Sequence, residues 1–483
     1  MFELKREACF IGGAWLTNGK WVDVDDPASG SVIGRVPDMG RAEAEHAIAA
    51  AHEAMGVWAA TTARARADIL VRFHDLVLAH RSGLAELLVA EQGKPLGEAL
   101  GEIDYAASFL RWFAEEGRRS YGEIVPAHME DKRILVLRQP VGVVGAITPW
   151  NFPAAMVTRK IAPALAAGCG VVLKPAPQTP FTALALAKLG EEAGLPSGLL
   201  NVVTGDAAEI GGALTAHRLV RKISFTGSTP IGALLYQQSA TTIKKLSLEL
   251  GGNAPFIVFD DADVDAAVTG AILSKFRNAG QTCVCANRIY VQSGIYEAFV
   301  ERLSLAVDQL RVGAGSEAGV AIGPLIDAQA LDKVEAHIAD ALAKGAGLVS
   351  GGSRHPLGGR FFTPTILRDV TSTMRITREE TFGPVAPLIR FSNEAEVIAL
   401  ANETDSGLAA YLYAGDMSRI WRVAEAIEAG MVGVNTGLIS TEVAPFGGVK
   451  MSGLGREGSR HGLEDYQELK YICLSLDAPG EQQ

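Results

Sequence analysis

The chain has 483 residues, 48% of them hydrophobic and 20% charged, and its 44 basic against 55 acidic side chains give a net charge of −11. That length is too great for one simple core and implies two or three domains. An acidic balance without a long basic run argues against nucleic acid or an acidic membrane surface as the main partner, and no apolar run reaches the roughly 18 residues that span a bilayer. The five cysteines, at 9, 169, 283, 285 and 473, form no disulfide framework. They point to a reducing compartment, read here as the cytoplasm. The start of the chain, with Glu3, Lys5, Arg6 and Glu7, lacks the apolar core of a signal peptide. Nine histidines show no metal-ligand spacing, so no metal site is expected.

In chain order, residues 10–37 read as short strands and turns, and 41–118 carry Ala, Leu and Glu at helical spacing. Residues 133–138 (RILVLR) alternate and precede Pro140, which suggests an exposed strand. From Val141 the rhythm changes. Short β-rich runs at Val141–Ile147, Gly170–Lys174, Leu200–Val203, Lys222–Phe225 and Leu246–Leu250 alternate with helical segments at about 153–167, 180–194, 206–216 and 229–239. Such alternation implies a parallel sheet with right-handed crossovers and a ligand site at the strands' carboxyl ends. The second half repeats it, with strands at Pro255–Phe259, Arg288–Gln292, Leu348–Gly351, Val385–Phe391, Leu408–Tyr413 and Met431–Asn435. The run Tyr466–Leu476 reads as a strand with nothing local to pair with, and hence as a candidate for pairing with another subunit.

Several stretches carry chemistry-bearing residues. FRNAGQTCVCANR (276–288) holds Cys283 and Cys285 after a tight, small-residue bend; a cysteine there is either a nucleophile or a buried core thiol. LSLELGG (246–252) sets Glu249 inside an apolar strand, where desolvation raises its pKa toward that of a general base, unless it faces outward from an edge. TPWNFP (148–153) offers the Asn151 amide as an oxyanion donor, or is a plain turn. ISFTGSTPIG (223–232) runs from strand through Gly227 and Ser228 into a helix start, which suits a phosphate or is an ordinary Ser-capped turn. VLKPAPQTP (172–180) ends a strand on Lys174, where a ribose or phosphate would lie or where a lysine is simply solvated. In EETFGP (379–384), Glu380 suits ribose hydroxyls and Phe382 suits a flat ring, though both also suit a surface loop.

Taken together with PFGGVKMSGLGRE (445–457), these motifs resemble, in order and spacing, the aldehyde dehydrogenase superfamily along essentially the whole chain. LSLELGGNAPFIVFDDAD and SKFRNAGQTCVCANR are most similar to the succinate-semialdehyde dehydrogenases within it. The resemblance implies an α/β fold. It comprises a Rossmann-type dinucleotide domain (1–120 and 140–250), an α/β catalytic domain (251–445) and a β-arm for oligomerisation (121–139 and 463–483), assembled as a homodimer or homotetramer. It implies Cys283 as nucleophile, Glu249 as general base, and Asn151 with the Cys283 N–H as oxyanion donors. It places Trp150, Asn151, Lys174, Pro175, Ala176, Pro177, Gly227, Ser228, Leu250, Glu380 and Phe382 around the cofactor, and Lys160 and Glu457 on a proton exit.

The implied reaction oxidises succinate semialdehyde to succinate through a thiohemiacetal and a thioester. Glutarate semialdehyde or a broader set of aliphatic aldehydes is the alternative. Arg159, Arg277 and Ser440 resemble the trio that holds the distal carboxylate, which arginine binds with bidentate, charge-assisted bonds. NAD-preferring relatives often place Glu where this chain has Pro177, so NADP is favoured, with NAD possible. Cys285 is implied as a redox partner of Cys283.

Overall fold

The computed structural model describes residues 3–476, so the 477–483 end of the expected arm lies outside the described residues. One sheet has eight strands in the order Ala14–Leu16, Cys9–Ile11, Leu200–Val202, Val171–Lys174, Val143–Ile147, Val220–Thr226, Lys245–Glu249 and Gly453–Leu454. The five inner strands are parallel, and the flanking ones pair antiparallel. Helices cover both faces of the inner strands, so VVGAI and VVLK read as unbroken apolar runs. Strand order reverses between Val143–Ile147 and Val220–Thr226. The turns after these two strands open on one crevice, as expected at a topological switch point.

Strand periodicity explains why a glutamate sits among leucines. The parallel register sets Lys222, Ser224 and Thr226 beside Lys245, Ser247 and Glu249. Successive side chains alternate between faces. One face of this strand pair is therefore polar, while Ile223, Phe225 and Leu248 pack into the core on the other.

A second sheet has seven strands, in the order Gly347–Ser350, Thr365–Arg368, Val385–Phe391, Ala286–Gln292, Ala254–Val258, Ala409–Tyr413 and Met431–Val434. All its pairs are parallel except the first. Thr365–Arg368 was not expected from the sequence; TILR is too short and too weakly alternating to stand out.

The terminal run indeed has no partner nearby in sequence, but the expectation that it would therefore pair with another subunit is corrected. Gln467–Ser475 pairs antiparallel along its whole length with Lys132–Pro140, which also pairs Glu123–Val125. Its partner lies more than three hundred residues away in the chain, beyond the reach of local pattern reading. Both outer strands of this three-stranded sheet keep one open edge among the described residues.

Candidate active site

A cavity of about 430 Å³ opens between the two large sheets. It is lined by Trp150 and Asn151 from the turn after Val143–Ile147, Gly227 and Ser228 from the turn after Val220–Thr226, and Glu249 and Leu250 at the end of Lys245–Glu249. From the second sheet's side come Cys283, Glu380 and Phe382. The structure thus gathers nine of the residues singled out from five separate motifs.

Cys283 follows an unusual bend. Asn278 and Ala279 both adopt left-handed backbone (φ 51 and 54), and Gly280 (φ +76) packs so tightly that a Cβ there would lie 2.2 Å from the Gly383 carbonyl oxygen. The Cys283 side chain is half-buried. Burial, reinforced by the nearby Glu380 carboxyl and offset by Arg159, pushes its thiol up to about 12. At rest the sulfur is therefore protonated, not the standing thiolate a reactive cysteine suggests.

Glu249 is buried, and neither carboxyl oxygen has a hydrogen-bond partner in the protein. Burial and then the Glu457 carboxylate raise its pKa well above the ordinary carboxylate value, against Lys160 and Arg159. Glu457 in turn accepts from Lys160 Nζ at 2.5 Å, and Arg159 stands 3.7 Å from it. Asn151 donates one Nδ2 hydrogen to the Gln281 carbonyl at 3.0 Å, leaving its second for a ligand.

Trp150 and Phe382 meet edge to face, 5.5 Å between centroids. Ser228 occupies the cap position of helix Thr229–Ser239, but its side chain makes no capping bond. The first N–H groups of that helix therefore keep no side-chain acceptor beside the cavity. A Cβ at Gly227 would fall 2.4 Å from the Phe225 ring, so this turn stays bare backbone. Glu380 accepts from the Gly252 N–H at 3.1 Å, and burial raises it to about 7.

Other expected residues stand apart from the cavity wall. Lys174, Pro175, Ala176 and Pro177 follow the neighbouring strand; Pro177 is exposed, while Lys174 is buried and donates to the Pro175 carbonyl. Burial lowers Lys174 to about 8, opposed by Asp206. Arg159 is buried against Phe446 (4.1 Å), Phe109 (5.2 Å) and Tyr105 (5.5 Å), donates to the Tyr105 hydroxyl at 2.6 Å, and has no partner for Nε. Arg277 lies 5.4 Å from the ring of Phe152, itself a cavity residue. Ser440 is half-buried in the loop after Met431–Val434. Cys285 does not share the cavity: its thiol is buried and donates to the Lys275 carbonyl at 3.0 Å.

A thiol, a desolvated carboxyl group and free N–H donors around one cleft are the parts that acyl chemistry on a carbonyl requires. The aldehyde dehydrogenase family pattern matches residues 15–472. This chain is an aldehyde dehydrogenase. It is 61% identical over 474 residues to the glutarate-semialdehyde dehydrogenase of Pseudomonas aeruginosa, covering 98% of each chain. It is also 61% identical over 475 residues to the NADP(+) succinate-semialdehyde dehydrogenase of Escherichia coli, again covering 98% of each. It is 60% identical over 481 residues to a 3-sulfolactaldehyde dehydrogenase of Pseudomonas putida, covering 98% of this chain and 99% of that one.

The aldehyde dehydrogenase site also holds residues that sequence reading missed. Ile326, Asp327, Gln329 and Lys333, at the start of helix Ala328–Ala343, line the cavity. A buried polar set behind Asn151, made of Gln92, Lys94, Glu102 and Asn278, was equally unforeseen. Its only sequence signal is polar residues where helix periodicity wants apolar ones, as at Glu102 between Gly101 and Ile103.

Proposed function

We propose that this dehydrogenase oxidises short aldehydes carrying a distal anion, succinate semialdehyde foremost, to the acid with NADP. The observation that carries this is a pair of cations behind the cavity: Arg277 over the ring of the cavity residue Phe152, and Arg159, which holds buried N–H groups unmatched in the protein. A buried cation without a full set of acceptors is costly unless a ligand anion completes it. Relatives of nearly equal identity are named for succinate semialdehyde, glutarate semialdehyde and 3-sulfolactaldehyde, and all three aldehydes bear a distal anion. Glutarate semialdehyde, one methylene longer, is the second reading, since one methylene discriminates by only about 1–3 kcal/mol.

The residues present fit a dinucleotide. The bare Gly227 turn and the open helix end beyond Ser228 suit a phosphate, Trp150, Leu250 and Phe382 suit flat rings, and Glu380 suits ribose hydroxyls. Lys174 suits the extra phosphate of NADP, with no carboxylate at Pro177 to repel it. When bound, the dinucleotide serves as hydride acceptor.

The protein's own groups do the rest. The Cys283 thiol passes its proton to the ionised Glu249 carboxylate across the cleft, and the sulfur bonds to the aldehyde carbon; Glu457 and Lys160 return Glu249 to its ionised form before the acyl group is released. Asn151 Nδ2 and the Cys283 N–H hold the resulting oxyanion; removing one such donor costs about 2.7–4 kcal/mol. After oxidation the acyl group remains on Cys283 as a thioester. Glu249, with its raised proton affinity, takes a proton from water, the water oxygen attacks the acyl carbon, and the C–S bond breaks to release the acid. Glu457 and Lys160 then pass the proton away from Glu249. We further propose that the three-stranded arm joins copies into a dimer or tetramer, and that the enzyme works in the cytoplasm, where Cys283 stays reduced.

The test is kcat/KM for succinate semialdehyde, glutarate semialdehyde and betaine aldehyde with each cofactor. The two anionic substrates are expected to exceed the cationic one, and Arg277→Ala is expected to raise KM for succinate semialdehyde about tenfold or more, the worth of a charge-assisted bond, while leaving a neutral aldehyde of similar length unchanged. Equal effects on both would overturn the substrate assignment.

A further inference from the structure

The side chain of Asn278 joins the two loops that must cooperate at the reacting carbonyl. Its Nδ2 donates one hydrogen to the Asn151 carbonyl at 3.0 Å and the other to the Gln281 carbonyl at 3.2 Å. The Gln281 carbonyl is also the acceptor that orients the Asn151 side-chain amide. The Asn278 Oδ1 accepts from Gln92 Nε2 at 2.9 Å, and Gln92 Oε1 accepts from the Lys94 N–H at 3.0 Å, so both amides have their orientation set by their partners. The Asn278 N–H donates to Glu98 at 2.8 Å. Lys94 Nζ adds a second bond to the Asn151 carbonyl at 2.8 Å. Gln92, Lys94, Asn151, Asn278 and Gln281 are all at least 95% buried, with exposures of 0%, 1%, 5%, 1% and 1%. In so dry a setting each unmade bond is costly, and a fully satisfied network has one geometry.

Asn278 also sits in the left-handed region at φ 51, ψ 38. Asparagine tolerates that backbone better than most residues. The residue thus turns the chain toward Cys283 and ties that turn to Asn151 with the same side chain.

We propose that Asn278, held by Gln92, is a positioning residue that sets the Asn151 amide against the Cys283 N–H, and so fixes the spacing of the two oxyanion donors. It touches neither substrate nor cofactor. The inference rests on the reading of Asn151 as an oxyanion donor and goes beyond it by naming what holds that donor in place. A misplaced donor loses most of its worth, because stabilisation depends on where the charge develops.

The experiment is a double-mutant cycle between Asn278→Gly and Asn151→Ala, read as kcat, aldehyde KM and cofactor KM. Glycine keeps the left-handed backbone unstrained and removes only the amide. Asn278→Gly alone is expected to lower kcat about tenfold, with both KM values within about twofold. In the Asn151→Ala background the same change is expected to cost almost nothing, since residues acting as a unit are not additive. An equal loss in both backgrounds overturns the positioning role while leaving Asn151 as a donor. An Asn151→Ala enzyme with undiminished kcat overturns the donor reading itself. Where Asn278→Gly does not yield folded protein, Gln92→Ala replaces it in the same cycle, with the same expected pattern and the same overturning result.

Discussion

Burial sets the proton chemistry of the site residue by residue. Cys283 and Glu249 are both pushed toward their uncharged forms, chiefly by desolvation, so attack and deacylation each begin with a proton leaving, and activity rises with pH. Lys174 is pushed toward its uncharged form too, which for a cation means downward, to about 8. Its ammonium is intact below that value and disappears as pH climbs through it. An extra phosphate on the cofactor is therefore attracted below pH 8 and loses that attraction above it. The ratio of KM for NADP to KM for NAD is expected to rise through the alkaline range in the native enzyme, and to be flat in Lys174→Gln, about tenfold above the native ratio below pH 8, the worth of one charge-assisted bond, with the two converging above it. Steady-state kinetics with both cofactors across pH checks this. A native ratio independent of pH would place the phosphate elsewhere.

At the scale of elements, two of the helices on the inner sheet are held at their starts by glutamates from other helices. Helix Ala155–Ala167 has no side-chain cap of its own. Glu102, from helix Leu96–Gly117, accepts from the Ala154 and Ala155 N–H groups and pairs with buried Lys94 at 2.5 Å. Glu91 does the same for Phe181 and Thr182 at the next helix. Glu102→Ala leaves a buried ammonium unpaired and two N–H groups bare, and is expected to cost about 3–5 kcal/mol. Denaturant unfolding followed by fluorescence measures it; a loss below about 1 kcal/mol would show the Lys94 ammonium repaired by other partners.

This layer also marks where the sequence stopped being legible. Alternation exposed the inner strands, and Val385–Phe391 and Thr229–Ser239 were found to the residue, because their hydrophobic period and their Gly and Pro boundaries are local. The crevice residues were legible for a different reason: Trp150, Asn151, Gly227, Glu249 and Cys283 sit in short motifs at strand ends. Gln92 and Glu102 were not, because a polar residue inside a helix looks solvent-facing until its distant partner is known; Asn278, in the bend before Cys283, was not, because its partners Gln92 and Asn151 are equally distant in the chain. Thr365–Arg368 and the pairing of Gln467–Ser475 failed likewise, since only long-range contact defines them.

At the scale of the molecule, the arm stands out from the two large sheets with an apolar, open-edged surface. Ile124, Leu469 and Tyr471 are 83%, 65% and 59% exposed. An unprotected apolar edge strand is normally covered, and a second copy of the chain is the proposed cover. Replacing Leu469 and Tyr471 together by Lys is expected to lower the mass seen by light scattering to that of a smaller assembly, with circular dichroism unchanged. An unchanged mass would move the interface elsewhere. No helix among the described residues is long and apolar enough to cross a membrane.

The two large sheets exist, in this account, to bring one sulfur to one carboxyl group across a shared cleft. Glu249→Gln should slow the attack but stall the reaction at the thioester, so the most direct measurement is mass spectrometry of that variant after mixing with succinate semialdehyde and NADP and acid quenching. The peptide carrying Cys283 is expected to gain the mass of one succinyl group, only when the cofactor is present, and not at all in Cys283→Ala. Turnover that survives in Cys283→Ala, or an acyl group found on another residue, would contradict it.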